Sequence, residues 1–117
     1  MGRLTTHVLD TSAGSPGAGI AITLDWLDAG ERRRLVETVT NMDGRCDAPV
    51  LEGRAFRTGT YELTFAVGAY FRAGGTPLPH PAFLDDVVIR FGVASRDEHY
   101  HVPLLISPYG YSTYRGS

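Results

Sequence analysis

The 117-residue chain contains no lysine and no glutamine, and Asn41 is its one asparagine. All 11 basic residues are therefore arginines. Without lysine there can be no Schiff-base catalysis and no Walker-type phosphate loop. Cysteine occurs once, at Cys46. One thiol makes no intrachain disulfide and no cysteine-based zinc cluster, and a reducing, cytoplasmic setting fits such usage. An excess of positive charge is also missing. The 13 acidic residues outnumber the 11 basic ones, for a net charge of −2, which argues against a nucleic-acid partner. No stretch approaches the roughly 18 apolar residues of a membrane span. Met1 to His7 lacks the apolar run of a secretory signal, so no membrane partner is expected. Internal repeats, linkers and low-complexity tails are absent as well. What remains is a 43% hydrophobic chain, too apolar for disorder and long enough to bury one core. A single domain over residues 1–117 is expected. Its polar chemistry rests on four histidines, the arginines, and Ser, Thr, Tyr, Asp and Glu.

The dominant pattern has period two. Ile20, Ile22, Leu24 and Trp26 alternate with Ala21, Thr23 and Asp25. Tyr61, Leu63, Phe65 and Val67 alternate with polar or small residues, and so do Val87, Ile89, Phe91 and Val93. Alternate side chains of a strand point to opposite faces, so each run predicts a half-buried strand. Leu4–Asp10, Arg33–Thr40, Glu98–Ser107 and Tyr111–Arg115 are four further candidates, and a short strand at Arg45–Ala48 makes eight. The connections Ser12–Gly17, Asp28–Gly30, Asn41–Gly44 and Gly74–Pro81 carry turn chemistry. Only Gly68–Ala73 suits a short helix. The expected fold is all-β, a sandwich of two antiparallel sheets.

The segment Glu98–Ser117 is the richest in chemistry. As a strand it places Tyr100, Val102, Leu104 and Ile106 on one face, an ordinary core stripe. His99, His101, Pro103, Leu105 and Ser107 share the other. That second face is apolar yet led by histidines, as if something outside the monomer covers it. From spacing alone, His99 and His101 read as surface histidines or as two ligands of a metal, and no carboxylate or cysteine is placed to complete a metal set. His7 carries the same ambiguity, beside Thr5 and Leu9 on its strand. Arg45 follows the Asp43-Gly44 turn. It reads either as a solvated turn residue or as a pocket-rim guanidinium matching planar carboxylate, ureide or imide groups. Tyr114-Arg115-Gly116-Ser117 reads as a frayed end or as part of a site. Arg32-Arg33-Arg34 reads as a solvated strand end balanced by Glu31 and Glu37. Cys46 reads as a small apolar residue pointing into the core.

Longer motifs narrow these alternatives. Leu4-Thr5-Thr6-His7-Val8-Leu9-Asp10 followed by Gly14-Ser15-Pro16-Gly17, the Asp43-Gly44-Arg45 turn, and the run from His99-Tyr100-His101-Val102-Pro103 through Tyr114-Arg115-Gly116-Ser117 resemble the transthyretin family. The likeness covers the whole chain, and the Tyr-Arg-Gly-Ser ending is its most specific part. The resemblance is to the hydrolytic branch, which acts on 5-hydroxyisourate in urate degradation. Transthyretin itself, a thyroid-hormone carrier, lacks counterparts of His7, of the second histidine motif and of that ending. A carrier of a small aromatic ligand is the rival reading.

The resemblance implies a transthyretin-like two-sheet sandwich of about eight strands with one short helix near Gly68–Ala73. It implies a homotetramer, a dimer of dimers, with sites in a channel between dimers, and no metal or organic cofactor. It implies that His7 and His101 activate water and protonate the leaving nitrogen, in an order the sequence leaves open. Arg45 would hold the substrate and its oxyanion. Ser117 would orient Arg45 or a histidine through its carboxylate or hydroxyl. Tyr114, Arg115 and Gly116 would border the substrate, with Gly116 using backbone angles closed to other residues to bend the tail inward. His80 and His99 carry no expected role.

Overall fold

The computed structural model describes every residue from Met1 to Ser117. Strand β1 (Arg3–Asp10) lies at the centre of one sheet. It pairs in parallel with β8 (His99–Ser107), in a register running from Arg3 opposite His99 to Asp10 opposite Ile106. Two-residue strands β2 (Ser15–Pro16) and β5 (Leu51–Glu52) pair antiparallel with β1, and β9 (Gly110–Thr113) pairs antiparallel with β8. The second sheet is fully antiparallel. It takes β3 (Ala21–Asp28), β4 (Glu31–Val39), β6 (Gly59–Phe65) and β7 (Val87–Val93) in the order β4-β3-β6-β7.

The two sheets face each other across the stripes that the alternation predicts. Leu4 and Val8 of β1 and Tyr100, Val102, Leu104 and Ile106 of β8 meet Ile22 and Leu24 of β3 and Tyr61, Leu63 and Phe65 of β6 in one 18-residue core. Helix α1 (Val67–Ala73) is too short to stand alone in water. It is held because Val67 and Phe71, four residues apart on one face, are both buried in that core. No helix is long and apolar enough to cross a membrane.

The expectation differs from the fold in several places. The sheet of β1 is mixed, not antiparallel, because β1 and β8 run parallel. The Tyr61–Val67 alternation ends at Phe65, and Val67 opens the helix. Arg45–Ala48 is not a strand: Arg45 makes a single bridge to His7, and the chain then leaves the sheet. The last strand stops at Thr113, not Arg115. Pro103 has no N–H to donate, the Thr113 hydroxyl takes its carbonyl at 2.7 Å, and the chain pairs with β8 again, in the same register, only at Gly116 opposite His101. The arginine run is not merely solvated. Asp25 and Glu62 stand directly opposite each other on β3 and β6 and are both buried. Like charges in that position repel, and three arginines offset them. Arg32 bridges both carboxylates, Arg34 bonds Asp25, and Arg90 bonds Glu62 at 2.7 Å.

This network has a sign. Hydrogen bonds from Arg32 and Arg34 outweigh burial and hold Asp25 below the usual carboxylate range. Bonds from Arg32 and Arg90 do the same for Glu62. The unfolded chain therefore binds protons more readily than the folded one at these groups. Their contribution is complete above the ordinary carboxylate values near pH 4 and is lost as pH falls through the lowered ones. Glu62→Gln is expected to be less stable than the parent at pH 7 and to approach it below pH 4. Thermal melts across that range check it, and equal gaps at both pH values would contradict it.

Candidate active site

The parallel pairing of β1 and β8 turns Arg3, Thr5, His7 and Leu9 to the same outer face as His99, His101, Pro103 and Leu105. Pro103 is buried within the chain, Leu105 is half-buried, and Leu9 is 37% exposed. The uncovered apolar part of this face is thus Leu9 with Leu105.

Arg45 reaches the same face from a turn that the chain's one asparagine organises. The Asn41 side-chain carbonyl accepts from the Asp43 and Arg45 amides, at 2.9 and 3.2 Å. The Asn41 amide donates to the Arg45 carbonyl at 2.7 Å, and Val8 donates to Gly44 at 2.8 Å. Gly44 has φ +76°, and a Cβ there would strike the Val8 carbonyl and the Pro16 ring. Only glycine fits both demands. The result is Arg45 bridged to His7 across the β1 edge. The His7 ring donates from Nε2 to the Asp43 carbonyl at 3.0 Å, which leaves Nδ1 as the lone-pair nitrogen of the neutral ring.

Arg45, His99 and His101 line a cleft of about 420 Å³ together with Arg3, Thr5, Cys46, Asp47 and Ser117. Arg45 enters none of the chain's ion pairs, so its guanidinium is free for an anion or a polarised carbonyl. Burial first, then the positive charge of Arg45 and the neighbouring His99 and His7, hold the His101 imidazole below the ordinary histidine value. His101 is therefore neutral at neutral pH and able to accept a proton. Cys46 is half-buried, packing on the core while lining the cleft, and burial pushes its thiol up.

The tail divides between two faces. Gly116 bridges His101, its amide donating to the His101 carbonyl at 2.7 Å, and Ser117 thereby joins the cleft. Gly116 is not among the glycines of positive φ. It is needed for a different reason: a Cβ there would lie 2.5 Å from Cδ2 of the His101 ring. Tyr114 and Arg115 are not brought to this cleft. They border another with Phe91 and Tyr100, where the Arg115 guanidinium lies 4.0 Å over the Tyr100 ring and pairs with Glu98 at 3.0 Å. Gly116→Val is expected to displace the His101 ring and lower kcat about a hundredfold, the scale of an ångström-sized misplacement. Steady-state kinetics beside a melting curve checks it; an active, normally folded Gly116→Val would contradict it.

Sequence reasoning did not single out Thr5, His99 or Asn41 for this site. The signal for Asn41 was its being the sole asparagine beside an Asp-Gly turn. For Thr5 and His99 the needed information is the β1–β8 register.

Fold and site together define a β-sandwich of transthyretin type that carries a histidine–arginine cleft suited to acid–base hydrolysis. Residues 4–116 match the HIUase/transthyretin family, and the chain belongs to that family. It is 65% identical over 116 residues to a 5-hydroxyisourate hydrolase of Mesorhizobium japonicum, covering 99% of this chain and 93% of the relative. Among solved structures it resembles 5-hydroxyisourate hydrolase of Klebsiella pneumoniae, with a TM-score of 0.83, 35% identity and full coverage of both chains. A sea bream transthyretin in complex with thyroxine has a TM-score of 0.87 at 24% identity, covering 97% of this chain and 94% of that one. That last likeness concerns the fold.

Proposed function

We propose that this enzyme hydrolyses 5-hydroxyisourate to 2-oxo-4-hydroxy-4-carboxy-5-ureidoimidazoline, a step of urate degradation, at the cleft lined by Arg45 and His101. His7 does not line that cleft but stands beside it on the same face, bridged to Arg45. The observation that carries the assignment to this cleft is the convergence of a neutral histidine, a second histidine and an unpaired arginine on one face. The carrier reading gives way to the enzyme, since the hydrolases are the relatives of high identity.

Hydrolysis of a cyclic amide needs an activated water, an acid for the departing nitrogen and a partner for the developing oxyanion. His101, neutral and with Nε2 free of protein partners, takes a proton from water as the water oxygen attacks the ring carbonyl. The Arg45 guanidinium holds the negative charge that forms on the carbonyl oxygen. The carbon–nitrogen bond then breaks, and the proton that His101 took from water reaches the departing nitrogen through His7, whose Nδ1 lone pair accepts it and hands it on. Electrons and protons balance: water adds, one ring bond opens, and a carboxyl and a nitrogen–hydrogen group result. Ser117 borders the substrate, in the same cleft as Arg45 and His101. Gly116 sets the distance from tail to His101. Tyr114 and Arg115, as substrate residues, would act from a neighbouring subunit, since within the chain they face away.

The assembly that fits is a homotetramer, a dimer of dimers, in which a second subunit covers Leu9 and Leu105 and closes the cleft. Light scattering on purified protein is expected to give four subunits, and a fully active monomer at assay concentration would contradict this. The chemistry itself is tested by mixing protein with freshly generated 5-hydroxyisourate and following carbon-13 resonances. Rapid appearance of the ureidoimidazoline carboxylate is expected; decay at the spontaneous rate would overturn the assignment.

A further inference from the structure

The Thr5 hydroxyl stands between two imidazoles, 2.8 Å from His101 Nδ1 and 2.8 Å from His99 Nε2. A hydroxyl has one proton to give. With both rings neutral, it donates to one nitrogen and accepts from the other, so two arrangements exist. In the first, His101 Nδ1–H donates to Thr5 and Thr5 donates to His99 Nε2, which leaves a lone pair on His101 Nε2. In the second the direction reverses and His101 Nε2 already carries hydrogen, so it cannot take a proton from water.

The surroundings select between them. Cationic Arg45 lies on the cleft side of His101. A nitrogen lone pair facing a cation is favoured over an N–H facing it. Arg3 adds a second cation to the cleft. The Asp47 carboxylate is engaged by the Asn41 side-chain amide at 2.9 Å, and no hydrogen bond joins the His101 ring to the His7 ring or to the Ser117 carboxylate. The backbone reinforces the geometry, because Thr5 is the register partner of His101, and Arg3 that of His99, on adjacent strands.

We propose that Thr5 and His99 are positioning residues that fix His101 as the Nδ1–H tautomer, so that Nε2 presents its lone pair to the cleft. The inference rests on the reading of His101 as the base. In this arrangement the hydrogen bonds need no reversal during turnover. When His101 gains a proton at Nε2, its Nδ1–H still donates to Thr5, and Thr5 still donates to His99. His99 thus acts on His101 through one hydroxyl, which accounts for a second histidine at an exposed position that touches no reacting atom.

The test reads the tautomer directly. Long-range nitrogen–proton NMR correlations of the histidine rings are recorded on the free enzyme above the titration range of His101. The parent is expected to show His101 as Nδ1–H. Thr5→Ser, which keeps the hydroxyl, is expected to retain that form and a kcat within about threefold of the parent. Thr5→Val and His99→Ala are expected to move His101 toward Nε2–H. Their kcat should fall about 10- to 100-fold at little changed KM, less than the ~10⁴-fold that a wrong tautomer costs a serine-protease triad. Nε2–H in the parent overturns the proposal. So does a kcat loss without a tautomer change, or a tautomer change without a kcat loss. The tautomer is measured without substrate. A parent that shows the expected form, and loses it in Thr5→Val, yet does not open the ureide ring would therefore overturn the assigned reaction while upholding the relay.

Discussion

His101→Ala is expected to lower kcat about a hundred- to ten-thousand-fold, the usual cost of removing a positioned acid–base group, with the fold retained. The half-buried ring lies on the outer face of β8, opposite the core stripe of Tyr100 and Val102, so its removal opens the cleft and leaves the sandwich intact. His7→Ala is expected to lose activity on the same scale. His80→Ala should not, because His80 is exposed and sits against Arg72, 3.0 Å from its guanidinium, outside the cleft. Steady-state kinetics on the three variants checks the assignment, and an equal loss in His80→Ala would contradict it. The pH profile carries the sign. His101 works as its neutral form, and burial with nearby positive charge lowers its pKa. Activity should therefore hold through neutrality and fall only at a pH below the ordinary histidine value of about 6.5.

Arg45→Ala is expected to lower kcat about a hundred- to a thousandfold, the loss seen when one oxyanion donor is removed. Arg45 has no internal salt-bridge partner to leave unpaired, so stability should change little. A second readout separates a chemical role from a structural one. Arg45 is among the charges that hold His101 down. In Arg45→Gln the His101 titration, followed by NMR, should move up toward the ordinary value. An unmoved titration with unchanged kcat would return Arg45 to a solvated turn.

Several elements were legible because their residues state their own period. β7 spans the expected Val87–Val93, since its alternation ends where two aspartates and then Ala94 begin. Strands β2 and β5 were not legible, because two residues have no period and exist only as pairings with β1. The β1–β8 pairing joins residues about as far apart as the chain allows, and no local pattern announces it. That pairing decides the site. His7, Arg45 and His101 could be named from motifs, but the junction of Thr5 with both His99 and His101 appears only once the register is known. The tail misled for a local reason. The register of β9 against β8 runs on to Gly116, but Pro103 has no N–H with which to hold a ladder opposite the tail. The chain instead leaves β9 after Thr113, pairs Gly116 with His101, and lays Arg115 over Tyr100. Gly116 was rightly singled out as a special residue, but its reason is the nearness of the His101 ring.

The most direct test compares the parent with the double variant His101→Ala/Arg45→Ala, both checked by light scattering and melting curves for the same assembly and fold. Freshly generated 5-hydroxyisourate is added to each, and its ultraviolet absorbance is followed against buffer alone. The parent is expected to remove the substrate far faster than buffer, and the double variant at the buffer rate. A parent no faster than buffer, or a double variant as fast as the parent, would contradict hydrolysis at this cleft.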